Sequence, residues 1–164
     1  MILYIVRHGI AVDRTDPKSP VEPERPLTAE GVKKTRSAAL GLRALGAKPD
    51  VLITSPYVRA AQTAEIFAEA LGFPVEKIRS SEALKPAANP ADFLKEIAHL
   101  RAKEVICFGH APHLDALISQ LAGARGVFTE LRKAGVACFE RGAHDARWDL
   151  LWLLTPKALR QLGK

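Results

Sequence analysis

The chain opens with Met1-Ile-Leu-Tyr-Ile-Val-Arg-His-Gly-Ile10, and this stretch sets the expected architecture. Residues 2–6 form a continuous apolar run of β-branched and aromatic side chains, which indicates a strand buried on both faces, as in the centre of a parallel sheet. The run stops at Arg7-His8-Gly9. Open α/β sheets bind their ligands just beyond the carboxyl ends of such strands. Arginine suits a phosphate, histidine can be a nucleophile, base or metal ligand, and glycine allows close approach of the backbone.

Size and composition indicate an ordinary globular protein. The chain has 164 residues, 48% hydrophobic and 26% charged, so we expect a single domain over residues 1–164 that buries a core without disulfides or metals. Cys107 and Cys138 each lie in an apolar, strand-like run, as small buried hydrophobes do. No apolar run approaches the roughly 18 residues of a membrane-spanning helix, and the N-terminus enters a strand directly. We therefore expect a cytoplasmic monomer that does not associate with membranes.

The charge balance favours anionic partners. There are 24 Lys and Arg residues against 18 Asp and Glu residues, a formal net charge of +6. Such a charge favours encounter with nucleic acid, phosphorylated metabolites or an acidic protein. The sequence contains no long basic run, no interleaving of aromatic and basic residues and no known nucleic-acid module. We therefore expect a phosphorylated protein or a small phosphorylated substrate as the partner, and no nucleic acid.

The pattern along the chain alternates between strands and helices. The proline-rich stretch 13–26 is predicted to be an exposed loop. Four helices are expected from their capping residues, over residues 28–45, 55–72, 89–101 and 112–121. Strands are expected at residues 51–54, 75–78 and 104–108, followed by an edge hairpin at 136–140 and 147–154. The predicted fold class is α/β, a three-layer α/β/α sandwich with a mostly parallel central sheet and an antiparallel edge.

Three of the predicted strands end in polar groups of similar chemistry. These groups are Arg7-His8-Gly9, Thr54-Ser55-Pro56 with Arg59 nearby, and Gly109-His110. Because the carboxyl ends of parallel strands share one edge of a sheet, the three groups should converge there. Each lies near a helix N-terminus, where free backbone N–H groups favour an anion. Two histidines and two arginines without an acidic partner indicate a site for a phosphoryl group.

Other kinds of site fit the sequence less well. A zinc site needs further ligands at suitable spacing, and His110 with His113 alone is weak support. The chain contains neither a Gly-x-Ser-x-Gly nucleophile elbow nor a phosphate-binding P-loop. We therefore expect no metal and no cofactor. The sequence also allows two plainer interpretations: that His8 belongs to an ordinary surface loop, and that His110 is a helix-start histidine that hydrogen-bonds to the backbone.

These motifs together resemble the histidine phosphatase superfamily, whose fold is phosphoglycerate mutase-like. The resemblance rests on Arg7-His8-Gly9, on Ser55-Pro56 followed by Arg59-Ala60 and Gln62-Thr63, and on Gly109-His110. The small size, the segment Arg25-Pro26-Leu27-Thr28 and the ending from Trp148 to Pro156 are most similar to its SixA-type phosphohistidine phosphatases. The resemblance spans nearly the whole chain.

The resemblance implies a covalent mechanism. His8 would attack phosphorus in line through an unprotonated nitrogen, and water would then hydrolyse the phosphoenzyme. Arg7, Arg59 and His110 would surround the phosphoryl oxygens and stabilise their charge, with His110 acting as a charge clamp if it is cationic. Arg25 and Gly9 would add further contacts to the phosphate or substrate.

Residues 81–86, in the middle of the chain, indicate which class of substrate to expect. Relatives that act on phosphomonoesters have a carboxylate after a mid-chain leucine, but here Leu84 is followed by Lys85. Because an alkoxide leaves only with a proton, lack of the acid should cost about 10²- to 10⁴-fold in rate, whereas the imidazole of phosphohistidine leaves more easily. We therefore expect a phosphatase of phosphohistidine in proteins. A phosphatase of small phosphomonoesters and a non-catalytic phosphoprotein-binding domain are the alternatives. The remaining candidate proton donors are Glu82, Asp13, Asp16 and His113.

Overall fold

The computed structural model describes residues 1–142 and 147–164, and these form a six-stranded sheet. The strands are β1 (Ile2–Arg7), β2 (Val51–Thr54), β3 (Arg79–Ser80), β4 (Glu104–Gly109), β5 (Val136–Arg141) and β6 (Trp148–Leu154). Their order across the sheet is β3-β2-β4-β1-β5-β6. The first four in that order are parallel, whereas β5 and β6 add antiparallel pairs at one edge. The expected fold class, mostly parallel with an antiparallel edge, is confirmed.

Five helices among the described residues cover the two faces of this sheet. They are α1 (Ala29–Ala44), α2 (Val58–Leu71), α3 (Pro90–Ala98), α4 (His113–Leu121) and α5 (Pro156–Leu162). Buried side chains of α1, α2 and α5 form one core with the sheet, and those of α3 and α4 form a second core on the other face. Two cores separated by one sheet make three layers, as the alternation of strands and helices predicts.

Strand β1 lies inside the sheet and contributes to both cores. Tyr4 and Val6 point into the core with α1, and Leu3 and Ile5 point into the core with α4. This division follows from the two-residue period of a strand, which sends successive side chains to opposite faces. Leu3, Ile5 and Val6 are fully buried, and burial of each such side chain contributes about 1.5–3 kcal/mol. The strand that leads to Arg7 is therefore held firmly on both sides.

Three details of the predicted elements differ in the structure. Helix α2 begins at Val58 with Tyr57 as its N-cap, so Ser55 does not cap it as expected. The predicted strand 75–78 is wrong: residues Val75–Lys77 form a single 3₁₀ turn, and only Arg79–Ser80 pair with β2. Helix α5 was not expected, although the Thr155 hydroxyl accepts a hydrogen bond from the Ala158 N–H in the usual capping arrangement.

The pairing register aligns the carboxyl ends of the inner strands. Arg7 at the end of β1 pairs with Gly109 at the end of β4, and Thr54 at the end of β2 pairs with Phe108. The residues that follow these strands therefore meet at one edge. In the described part of the chain, none of the helices combines the length and apolarity needed to cross a bilayer.

Candidate active site

The convergence expected at the sheet edge is present in the structure. His8 follows β1 and His110 follows β4, and their ring centroids lie 5.2 Å apart. Arg59 comes from the first turn of α2 and donates a hydrogen bond through Nε to His8 Nε2 at 3.2 Å. His8, Arg59 and His110 are all buried. Residues separated by up to about a hundred positions thus form one compact group, which rules out the interpretation of His8 as an ordinary surface-loop residue.

The two hydrogen bonds of His8 fix which ring nitrogen is free to react. Nδ1 lies 2.7 Å from the Gly9 carbonyl oxygen, which can only accept, so Nδ1 carries the proton. Nε2 faces a guanidinium, which can only donate, so Nε2 holds a lone pair. Burial lowers the pKa of His8 to about 3, and the positive charges of Arg59, Arg7 and Lys133 act in the same direction. His8 is therefore a neutral imidazole with an available Nε2, the form that nucleophilic attack requires.

Gly9 allows the segment that follows β1 to pack closely against α1 and α2. Its N–H donates to the Thr63 hydroxyl of α2 at 3.0 Å. A methyl group at this position would overlap Thr35 Oγ1 of α1. The close approach of α1 therefore requires glycine here, and the Gly9 N–H, which a phosphate contact would need, is engaged by Thr63.

The surroundings of His110 favour its neutral form, whereas its role as a charge clamp was conditional on a cationic ring. Burial, together with the neighbouring His8 and Arg59, lowers its pKa to about 2. Its Nε2 lies 2.8 Å from Ser55 Oγ, and its Nδ1 makes no hydrogen bond among the described residues. The Ser55 hydroxyl is thus used to orient His110 instead of capping α2. A neutral imidazole can still donate one N–H to a phosphoryl oxygen.

Arg59 is held by a carboxylate that the sequence patterns do not reveal. Its Nη2 donates to Glu22 Oε1 and its Nη1 to the Glu22 carbonyl oxygen, both at 2.8 Å. The same carboxylate accepts from Arg25 through Nε and Nη2, each at 2.8 Å. These contacts lower the pKa of Glu22, Arg25 contributing most, and keep it anionic. Glu22 lies in a short 3₁₀ turn of the proline-rich loop (Glu22–Glu24), and its spacing of three residues from Arg25 is the only signal in the sequence.

Arg7 has different surroundings. Its Nη1 donates to the Leu131 carbonyl oxygen at 2.8 Å, and its Nε is buried without a hydrogen-bond partner among the described residues. No carboxylate in the described part of the chain forms an ion pair with it. The guanidinium therefore keeps free donors at the site edge, as an incoming oxyanion requires.

None of the four candidate proton donors hydrogen-bonds to His8, Arg59 or His110 among the described residues. Glu82 is exposed and forms an ion pair with Lys85, and Asp13 and Asp16 accept hydrogen bonds from within their own loop. His113 is buried at the start of α4, and burial lowers its pKa. The carboxylate that does contact the site is Glu22. No three His, Cys, Asp or Glu side chains within residues 1–142 and 147–164 are grouped so that they could hold a metal ion.

Comparison with known proteins agrees with this geometry. The model of the histidine phosphatase superfamily (branch 1) matches residues 3–85, a segment that contains Arg7, His8 and Arg59. An uncharacterized protein of Picosynechococcus sp. is 35% identical and covers 97% of this chain and 99% of its own length. The chain belongs to the histidine phosphatase superfamily. The resemblance expected from the motifs is therefore confirmed, and membership supports phosphatase activity on a phosphorylated substrate.

SixA phosphohistidine phosphatase is found among both its sequence relatives and its structural neighbours. Phosphohistidine phosphatase SixA of Escherichia coli K12 is 26% identical and covers 92% of this chain and 93% of its own length. The structure of the protein histidine phosphatase SixA complexed with tungstate superposes with a TM-score of 0.84 at 22% identity and covers 97% of this chain and 99% of that chain. The superposition shows that the chain has the phosphoglycerate mutase-like fold predicted from the sequence.

Proposed function

We propose that this protein removes the phosphoryl group from phosphohistidine in proteins, through a covalent phosphohistidine intermediate on His8. The observation that carries the proposal is the lone pair of His8 Nε2, which is directed toward the guanidinium of Arg59 on a buried, neutral ring. A neutral nucleophile beside two guanidiniums combines what attack on a phosphoryl dianion needs, a reactive lone pair and compensating positive charge.

The first step transfers the phosphoryl group to His8. A bond forms between phosphorus and Nε2 while the bond between phosphorus and the nitrogen of the substrate imidazole breaks. The substrate ring enters with its other nitrogen protonated, so it keeps the electron pair of the broken bond and leaves as neutral imidazole. Positive charge develops on His8, and its Nδ1–H bond to the Gly9 carbonyl stabilises that charge. Arg7, Arg59 and His110 would contact the phosphoryl oxygens. Arg25, which shares Glu22 with Arg59, would extend the same positive side of the site.

The second step restores the enzyme. Water attacks phosphorus opposite Nε2, the bond from phosphorus to Nε2 breaks, and dihydrogen phosphate leaves with the oxygen and both protons of the water. The electron pair returns to Nε2, and His8 resumes the neutral form that its surroundings favour. Neither step needs a metal or an organic cofactor.

The choice of phosphohistidine rests on proton supply. Lys85 stands where the acid is expected, and it pairs with Glu82 at an exposed position. Glu22 does contact the site, but the arginines lower its pKa, so it is a poor proton donor. A leaving imidazole tolerates this better than an alkoxide does. The similarity to SixA of Escherichia coli points to the same substrate.

A comparison of two substrates tests the proposal. A phosphohistidine peptide and an alkyl phosphate such as phosphoserine are incubated with the enzyme, and phosphate release is measured. We expect the phosphohistidine peptide to react at least about 10²-fold faster in kcat/KM, the lower limit for a missing general acid. Faster release from the alkyl phosphate would favour the small-phosphomonoester alternative. If neither substrate loses phosphate and His8→Ala binds a phosphoprotein as tightly as the parent does, the protein is a binding domain.

The covalent intermediate provides an independent test. Rapid quench with a labelled substrate should trap phosphate that is labile in acid and stable in base, as phosphorus bound to nitrogen is. His8→Ala should lose this label together with about 10⁴-fold or more in rate. His99→Ala, at an exposed position in the cap of α3, is the matched control and should retain both. Label that persists in His8→Ala would mean that another residue is the nucleophile.

A further inference from the structure

A second cationic region adjoins the candidate site on the side of Arg7. It is a cavity of about 580 Å³ between β1, α1, the segment before β5 and the start of α5, which we call the Arg7 cavity. Its charged lining residues are Arg7, Lys34, Arg132, Lys133, Arg160 and Glu130. Five cations and one carboxylate line a single recess, so the electrostatic potential inside it is positive.

Much of this positive charge is not neutralised by the protein. Arg132 pairs with Glu130 at 2.8 Å, and Lys34 pairs with Glu30. Neither Lys133 nor Arg160 forms an ion pair with any carboxylate in the described residues. Among the residues that the structure describes, Arg7 likewise donates only to a backbone acceptor, the Leu131 carbonyl. The cavity therefore contains several donors that remain available to an anion.

The cavity and the reacting group are neighbours. Arg7 belongs to both, and Lys133 is near enough to lower the pKa of His8. One substrate molecule can therefore place its phosphoryl group at His8 and another anionic group in the cavity. On the opposite side of the site, a second anionic group would have to compete with Glu22, which already accepts hydrogen bonds from Arg59 and Arg25.

We propose that the Arg7 cavity is a specificity subsite for acidic side chains of the phosphoprotein substrate, next to the phosphorylated histidine. This inference rests on the proposed function and names the kind of protein that the site selects. The cationic side chains come from four separate segments of the chain and are long and flexible. They suit carboxylates spread over a protein surface better than the single fixed geometry of a small bisphosphate.

The test compares two phosphohistidine peptides that differ only in having glutamates or glutamines around the phosphorylated residue. At low ionic strength the wild-type enzyme should prefer the acidic peptide by about tenfold in kcat/KM. Because the interaction is between charges near the surface, added salt should reduce this preference. Lys133→Gln/Arg160→Gln should lower the preference to about twofold or less. The ratio between the two peptides is the readout because any effect of Lys133 on His8 itself cancels in it.

Matched controls keep the test specific. Lys33→Gln/Lys157→Gln removes the same two charges from exposed positions of α1 and α5 that do not line the cavity, and it should keep the tenfold preference. An equal preference in wild type and Lys133→Gln/Arg160→Gln would overturn the subsite. The enzyme could instead discriminate only between an alkyl bisphosphate and the matching monophosphate. In that case the ligand of the Arg7 cavity is a small bisphosphorylated molecule and not an acidic protein.

Failure of the proposed function can be told apart from failure of the subsite. If no phosphate is released from either peptide, the proposed function is wrong, and binding of the unphosphorylated acidic peptide then decides the subsite. We expect Lys133→Gln/Arg160→Gln to bind that peptide several-fold more weakly than wild type at low ionic strength. Equal affinities in this titration would overturn the inference.

Discussion

Two arginines near His8, Arg59 and Arg7, differ in whether a described carboxylate forms an ion pair with them. On the Arg59 flank (Arg59, Glu22 and Arg25), one carboxylate accepts from both guanidiniums. On the Arg7 flank (Arg7, Lys133 and Arg160), no described carboxylate forms an ion pair with these side chains, and a cavity opens beside them. Arg59 is only 3% exposed, and a charge buried so deeply needs a counter-charge. Arg7 is less buried and keeps free donors.

The difference indicates that Glu22 holds the Arg59 flank ready for an anion while no substrate is bound. Glu22 Oε1 lies 2.8 Å from Nη2 of both arginines, the distance at which a phosphoryl oxygen would lie. A substrate that uses these donors must displace the carboxylate. On the Arg7 flank, by contrast, an anion adds to donors that are already free. The two flanks therefore differ in the cost of anion binding.

The largest effect that tests this contrast comes from removing the arginines. Arg59→Ala and Arg7→Ala should each lower kcat by about 10²- to 10³-fold, because each removes a donor to the charge that develops on the phosphoryl group. Only Arg59→Ala should interact with Glu22→Gln in a double-mutant cycle, since Arg59 alone of the two contacts Glu22. The measurement is kcat for the single and double variants. A coupling between Arg7 and Glu22 as large as that between Arg59 and Glu22 would contradict the separation of the flanks.

The flanks agree in one respect, because cations of both lower the pKa of His8. The pKa values of His8 and His110, about 3 and about 2, lie below the value of about 6.5 that an unfolded histidine has. Between these values the unfolded state binds protons that the folded state does not, so the free energy of unfolding decreases as the pH falls below about 6.5. At pH 5 each histidine should cost about 2 kcal/mol.

Urea unfolding at pH 7.5 and pH 5 measures this loss. His110→Gln should show a loss smaller by about 2 kcal/mol, since one of the titrating groups is gone. His99→Gln, at an exposed position, should behave as the parent does.

The pH dependence of the rate should differ from that of the stability. We expect kcat/KM to show no decrease from protonation of His8 down to pH 5, because the pKa of His8 in the folded protein is about 3. A titration of the His8 imidazole near pH 6.5, followed by NMR, would contradict this environment.

The sequence predicts one flank better than the other. Arg7 and His8 could be placed because they directly end an apolar strand, and strand ends of a parallel sheet have a defined position. Arg59 could be placed because its helix follows a second such strand. Glu22 could not, since its contact with Arg59 depends on the path of an irregular, proline-rich loop, which no periodicity describes.

The Arg7 cavity and the start of helix α2 also depend on tertiary contacts that a local sequence pattern does not predict. The Arg7 cavity is made by segments as distant as Lys34 and Arg160, and only tertiary packing brings them together. Ser55 followed by proline is a standard helix start, but its hydroxyl orients His110, so a tertiary contact takes precedence over a local preference. Thr155 caps α5 in the ordinary way, and this local signal was present in the sequence.

The smallest expected effect is the sharpest test of the contrast between the flanks. Glu22→Gln keeps the shape of the side chain but removes the charge that competes with a phosphoryl group for Arg59 and Arg25. Inorganic phosphate, measured as a competitive inhibitor, should therefore bind about two- to fivefold more tightly, the usual magnitude for losing one partly exposed competing ion pair. Glu24→Gln is the matched control: it removes the same charge from the same turn, and Glu24 contacts neither arginine. Weaker phosphate binding by Glu22→Gln would mean that the carboxylate organises the two guanidiniums for the substrate instead of occupying their place.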